Sequence, residues 1–387
     1  MPDEPEIAVV VTTIGKGEFL DDYFAAAQRE DVLHHVTFFV IADRKSPPQL
    51  FARCMHLASR GMRVVCPTLE AQESFAARVG FDGLVPFDSD NRRNLGYLMA
   101  LASDAQVIIS IDDDNFPRAD AWYFREHSVV ARPTVTLPAV KTTSGWYNLC
   151  SMLECKPATV YPRGFPYQQR HRHDEIAFVE ATGRVTINAG LWLSEPDLDG
   201  MTWLVAPARA TALKADPMLL GRHTWSPINT QNTAVHRDAI ASYYFARMNY
   251  PLAGMMSIDR YGDILSGYFA QACAKALGHY IRVGTPLVDH RRNAHNYLKD
   301  ATCEMGCIWL IEDLAPWLVE QRIEGSSYSQ AYRSLSALLD DAAEKFRGII
   351  WNDATRGYLH QLAYCMRRWT EACTRAQELR VAAPVAA

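Results

Sequence analysis

Three runs in the first third of the chain, EIAVVVTTI, VTFFVIAD and VIISIDDDNFP, are apolar at nearly every position before they end on hydroxyls or acids. A strand with one wet face alternates polar and apolar residues. A run that is apolar throughout is buried on both sides, as in a parallel sheet covered by helices. Helical stretches lie between them, FLDDYFAAAQRE, QLFARCMHLASRG and NRRNLGYLMALASD, and MRVVCP reads as a further strand. This alternation predicts an α/β fold with a mainly parallel sheet and helices on both faces. Such sheets bind ligands beyond the carboxyl ends of their strands. Thr12, Thr13, Asp43 and the triplet Asp112, Asp113 and Asp114 all fall at such ends.

The triplet needs an explanation. Like charges this close repel, and burying one unpaired is costly, so either water or a cation belongs beside them. Hard cations such as Mg2+ or Mn2+ take oxygen ligands, often one or two carboxylates, and complete their shell with substrate phosphates. On an unbroken strand Asp112 and Asp114 share one face and Asp113 opposes them; a break at Asp113 lets all three crowd one pocket. A divalent metal on Asp112 and Asp114, bridging a nucleotide diphosphate, is the expected occupant, and a solvated turn is the alternative. VDHRRNAHNY (288–297) offers His290 as a late metal ligand, and Arg291 and Arg292 as donors to phosphate. RYGDILSGYF (260–269) sets Asp263 at a helix start, as a cap or as a catalytic carboxylate. In YPRGFPYQQRHRHDE (161–175) Arg163 stands among aromatics, a combination suited to a sugar ring and its diphosphate. The His171, His173, Asp174, Glu175 cluster of that stretch reads as a solvated loop. Arg93 joins Thr12, Thr13, Asp43, Asp113 and Arg291 as the nucleotide-binding candidates.

From about 130 to 300 the pattern is irregular and rich in aromatics, Pro and Arg; from about 305 it turns helical. The expected division is a nucleotide-sugar domain over 1–305 and a helical region over 306–380, with VAAPVAA as a frayed tail. The helical region is expected to offer a surface for a homo-oligomer. The chain's 39 Lys and Arg against 44 Asp and Glu give a formal charge of −5, which favours neither nucleic acid nor an anionic membrane. No run approaches the roughly 18 apolar residues of a membrane span, and the acidic N-terminus lacks a signal peptide's basic start. Nine scattered cysteines fit reduced thiols, so the expected location is cytoplasmic. Cys303 and Cys307 share a helix face but lack a second pair to complete a zinc set. IGKGEF is not a P-loop, no GxGxxG follows the first strand, and no GxSxG is present.

IISIDDDNFP, RGFPYQQR, GLWLSEPDLD, PINTQNTAVHRD, RYGDILSGYF and GTPLVDHRRNAHN occur along residues 7–310. Together they resemble the reversibly glycosylated polypeptides, a family that includes the UDP-arabinopyranose mutases of plants and bacterial glycosyltransferase relatives. The resemblance implies a GT-A-type fold with an Asp-x-Asp metal site at Asp112, Asp113 and Asp114, and His290 as the late ligand. It implies Asp43 near the nucleotide, Asp263 as a family acid, and Arg163 as the arginine that becomes reversibly glycosylated. Asn115 and Gly262 stand where plant members carry Cys and Asp. The expected activity is metal-dependent transfer of a sugar from a nucleotide-diphosphate donor to a small-molecule acceptor, with Asp263 as base. Interconversion of pyranose and furanose forms of a UDP-sugar is the second reading, and a silent sugar-nucleotide-binding subunit the third.

Overall fold

The computed structural model describes residues 4–252, 256–293 and 295–379. The expected frayed tail at 381–387 lies outside them. The strands are β1 (Ile7–Thr13), β2 (Val36–Ala42), β3 (Arg63–Val65), β4 (Val107–Ile111), β5 (Asn115–Pro117), β6 (Val135–Thr142), β7 (Leu153–Lys156), β8 (Ile176–Gly183), β9 (Val185–Ser194), β10 (Arg209–Leu213), β11 (Met218–Leu220), β12 (Asn232–His236), β13 (Tyr250–Pro251), β14 (Ser257–Ile258) and β15 (Tyr280–His290). The helices are α1 (Phe19–Arg29), α2 (Pro48–Ser59), α3 (Leu69–Arg78), α4 (Arg93–Leu101), α5 (Tyr123–His127), α6 (Gly200–Val205), α7 (Gly262–Ala276), α8 (Tyr297–Val319), α9 (Tyr328–Ala342) and α10 (Asp353–Glu378).

The main sheet runs β3-β2-β1-β4-β12-β9-β15-β11-β6-β8. Its first four strands are parallel, as their unbroken apolar runs predict. β12 enters antiparallel to both β4 and β9, and β9 runs parallel to β15. These later strands, in the stretch that reads as irregular, carry Asn188, Asn232 and Thr233 fully buried, which breaks the apolar signature. Register decides what meets at the sheet's edge. β1 aligns Ile7 with Val36 of β2 and with Val107 of β4, so Thr13 comes level with Ala42 and the acid triplet.

The strand stops at Ile111, and the three acids occupy a turn before the chain re-enters the sheet as β5. β5 pairs with the end of β15, and Asn115 lies opposite His290. This pairing joins two segments that are far apart in sequence. α4 lies close on β1 because Gly96 has no side chain: a Cβ there would stand 2.4 Å from Val10 Cγ1. Its first residue, Arg93, is thereby aimed at the strand ends.

The expected boundary at 305 falls inside α8, which is continuous from Tyr297 to Val319. Asn352 caps α10 by accepting from the N–H groups of Ala354 and Thr355. Trp369 of α10 is fully buried, donates its indole N–H to the Ile240 carbonyl at 2.9 Å and meets Phe81 edge-on. The apolar stripes of α9 and α10 pack into the chain's own core, where Leu335, Leu339, Leu362 and Met366 are buried. Trp309, Ile349 and Tyr364 of the same helical region remain exposed.

Candidate functional site

A cavity of about 750 Å3 opens at the carboxyl ends of β1, β2 and β4. Thr12, Thr13, Asp43, Arg93, Asp112, Asp113, Asp114, Arg163, Asp263 and His290 all line it. Because the strand breaks before Asp112, all three acids face this one space, the second of the two arrangements that the sequence left open.

On the first wall Arg93 is almost fully buried and donates to Asp112 Oδ1 at 2.6 Å. Its other bonds run to Thr230 Oγ1 at 2.7 Å, Thr12 Oγ1 at 3.2 Å and Ser110 Oγ at 3.3 Å. Burial opposes the Arg93 charge, but Asp112 outweighs it and the guanidinium is held above its ordinary value. Burial pushes Asp112 up to about 6 against the pull of Arg93, and Asp114 adds its repulsion. Asp113 is also raised by burial, while the Thr13 hydroxyl donates to it at 2.5 Å. Asp43 accepts from the Arg44 N–H at 2.7 Å and the Ser89 N–H at 3.3 Å.

His290 is buried at the end of β15. Its Nδ1 lies 2.5 Å from the Glu195 carbonyl, which assigns the proton to Nδ1 and turns Nε2 toward Asp114 Oδ2 at 3.4 Å. Burial lowers the imidazole, but the Asp114 bond and charge outweigh it and hold His290 above its ordinary value. An Nδ1–H held by a carbonyl is the usual support for a metal-ligating Nε2. The oxygen-rich set of Asp112 and Asp114 with one imidazole fits a hard divalent cation. Among the described residues no group of three or more His, Cys, Asp or Glu side chains is placed to hold a metal ion by itself.

The opposite wall is built on Arg163, 7% exposed. Its Nε and Nη2 donate to Asp197 at 2.9 and 3.1 Å, and its Nη1 and Nη2 donate to Asp263 at 3.1 and 2.6 Å. Nη1 also donates to the Arg260 carbonyl. Burial raises Asp197, but the Arg163 charge prevails and holds it below the usual carboxylate range. Asp263 lies in the first turn of α7 and caps no backbone N–H there; its oxygens go to Arg163 instead. Every donor direction of Arg163 is occupied, so the guanidinium is closed to a sugar in this conformation. Behind it Arg260 contacts Asp300 at 3.3 Å and Glu304 at 3.0 Å.

Arg291 does not line the cavity: it is exposed, and its guanidinium lies 4.2 Å from the centre of the Phe116 ring. A one-residue step reverses the side chain, and Arg292 takes its place, lying over Trp203 with Nη1 buried and unpartnered among the described residues. Sequence reading also passed over Asp90, Asp197, Asp259 and Arg260, which line the cavity. Asp197 sits inside GLWLSEPDLDG, so its motif was visible although its role was not. Of the cysteine pair, Cys303 lines the cavity and Cys307 is buried beside it in α8. In the His171–Glu175 loop, Asp174 accepts from the Ser144 N–H and hydroxyl.

A sheet that gathers acids, an imidazole and arginines beyond its parallel strand ends defines an α/β protein with these groups at the place where such sheets bind their ligands. The sequence profile of the reversibly glycosylated polypeptides matches residues 71–377, and the chain belongs to that family. The match takes in the helical region beyond residue 310, which the motif resemblance did not reach, and the sheet, parallel over β3-β2-β1-β4 with acids beyond its strand ends, is of the expected α/β class. The chain is 22% identical over 380 residues to "Probable UDP-arabinopyranose mutase 4" of Arabidopsis thaliana, covering 96% of this chain and 91% of that protein. It is 24% identical to UDP-arabinopyranose mutase 3 of the same plant, over 74% of this chain and 72% of that one. Among solved structures, glucosyl-3-phosphoglycerate synthase from Mycobacterium tuberculosis aligns with a TM-score of 0.38 and 13% identity, covering 80% of this chain and 79% of that one. S. aureus TarS aligns with a TM-score of 0.38 and 11% identity, covering 96% and 90%.

Proposed function

We propose that this chain binds a nucleoside-diphosphate sugar in the cavity and breaks the bond between its anomeric carbon and the diphosphate. The observation that carries this reading is the meeting of Asp112, Asp113 and Asp114 with His290 in one space, with Arg292 beside them. Asp112, Asp114 and His290 would hold Mn2+ or Mg2+, whose charge, when bound, offsets that of the departing diphosphate. Thr12, Thr13, Asp43 and Asp113 line the nucleotide side, and Arg93 holds Asp112 in place. Arg292, rather than Arg291, offers its donor fork to phosphate oxygens. Asp263 faces the sugar side, but its bidentate bond to Arg163 makes it a poor proton acceptor until that bond loosens.

The first reading is transfer of the sugar to a small-molecule acceptor. A second is favoured by the relatives, which are named as UDP-arabinopyranose mutases over most of their length: the sugar's own hydroxyl recaptures the anomeric carbon and changes ring size. The described cysteines are all free, which supports a reducing compartment such as the cytoplasm. No helix of the described residues is long and apolar enough to cross a membrane.

The test is incubation with a panel of nucleotide sugars and Mn2+, with and without acceptors, following nucleotide release and sugar isomerisation. Release that needs an acceptor supports transfer, and isomerisation without one supports the mutase reading. Binding with neither outcome across the panel points to a silent subunit and overturns the catalytic proposal. Asp112→Asn and Asp114→Asn are expected to weaken metal-dependent nucleotide binding by at least ~10-fold; normal binding in both variants refutes the metal assignment.

A further inference from the structure

The acids on the cavity wall are paired, with one exception. Asp88 faces Lys45 at 3.4 Å, and Asp112 and Asp113 are held by Arg93 and Thr13. Asp197 and Asp263 share Arg163, Asp300 bonds His295 at 2.8 Å, and Asp259 accepts from the Arg260 N–H at 2.8 Å. Asp90 lines the same cavity, and its carboxylate has no hydrogen-bond or ion-pair partner among the described residues. It opens the short turn Asp90–Arg92 that leads into α4, and its side chain stands open to the water of the cleft. The depth of the cleft still raises its carboxyl above the usual range, with Arg93 opposing and Asp263 and Asp43 adding repulsion.

A carboxylate is an acceptor with two oxygens, matched by a pair of neighbouring hydroxyls. It repels a diphosphate, so the anionic part of a ligand belongs toward Arg292 and the neutral, hydroxylated part toward Asp90. Asp90 is exposed on the wall of the cavity that Asp43 and Asp263 also line. We propose that Asp90 is a specificity-determining residue that accepts hydrogen bonds from hydroxyls of the donor's sugar. This rests on the nucleotide-sugar reading above.

Calorimetric titration in Mn2+ tests it, with UDP alone and with UDP-glucose, UDP-galactose, UDP-xylose and UDP-arabinopyranose as probes, on wild type, Asp90→Asn and Asp90→Ala. Both variants are expected to bind UDP and to melt as wild type does. Their affinity for the preferred UDP-sugar is expected to fall by roughly 10- to 100-fold, the worth of a hydrogen bond to a charged group. An equal loss of UDP affinity overturns the assignment to the sugar, and unchanged UDP-sugar affinity in both variants overturns it as well. Wild-type protein that binds neither UDP nor any of the sugars overturns the nucleotide-sugar reading itself, and this inference with it.

Discussion

On the wall made by β1, β2 and β4, one buried arginine, Arg93, faces one carboxylate, Asp112, and shares its other donors among hydroxyls and a carbonyl. On the opposite wall one buried arginine, Arg163, is gripped by two carboxylates, each through both oxygens. Both walls carry more acid than base, but they dispose of it differently. The second wall satisfies its charges internally and is finished without a ligand. The first leaves Asp113 and Asp114 answered only by hydroxyl, amide and imidazole groups, so its surplus charge remains available to a cation. An excess of acid is thus satisfied internally on one side and left open on the other.

Removing Arg163 breaks the comparison most directly. Arg163→Met strands Asp197 and Asp263 in the interior, and the expected loss is about 3–5 kcal/mol in urea unfolding. The triple change Arg163→Met, Asp197→Asn, Asp263→Asn removes the stranded charges and is expected to regain most of it. If the single variant unfolds at the wild-type urea concentration, the second wall is not held by this clamp.

The first wall is tested through its backbone. Gly96→Ala pushes α4 away from Val10 and carries Arg93 with it; the expected cost is about 1–3 kcal/mol, with weaker nucleotide binding. Wild-type stability and binding together would mean that α4 is free to shift.

The smallest effect concerns support behind the sheet. His127 is buried between Asn232, bonded at 3.0 Å, and Asn188, also at 3.0 Å. Burial lowers its imidazole to about 3, against about 6.5 in the unfolded chain. The folded value is the lower one, so this contribution to stability is complete above pH 6.5 and declines as pH falls toward 3. Between pH 7 and 5.5 the expected loss is ~1 kcal/mol. His127→Gln cannot take the proton, so urea midpoints of the variant should lack that part of the slope; equal slopes would contradict a neutral, buried His127.

The N-terminal half of the sheet was legible because a strand covered on both faces must be apolar throughout, and the runs before Thr13, Asp43 and Asp112 are. The helices after residue 305 were legible by their three- and four-residue periodicity. The later strands were not, since β9 and β12 carry buried Asn and Thr whose partners lie on neighbouring strands. Arg163 and Asp263 were recognised as site residues, but their mutual bond was not, because they are a hundred residues apart and meet only through the packing of α7. Asp90 gave no signal, since an aspartate in FDSDNRR looks like any turn residue until its neighbours in space are known.

By itself the sequence determined the α/β class, the position of the acid triplet beyond a buried strand and the family blocks, all of which follow from short-range pattern. The tertiary structure decided which charges are paired. The break at Ile111 turns three acids into one cavity, the β5–β15 pairing brings His290 to Asp114, and Arg163 closes on two carboxylates while Asp90 has no partner among the described residues. Pairing depends on distances between segments that the chain brings together only when it folds, and the energy of a buried charge depends on those distances more than on the identity of its sequence neighbours.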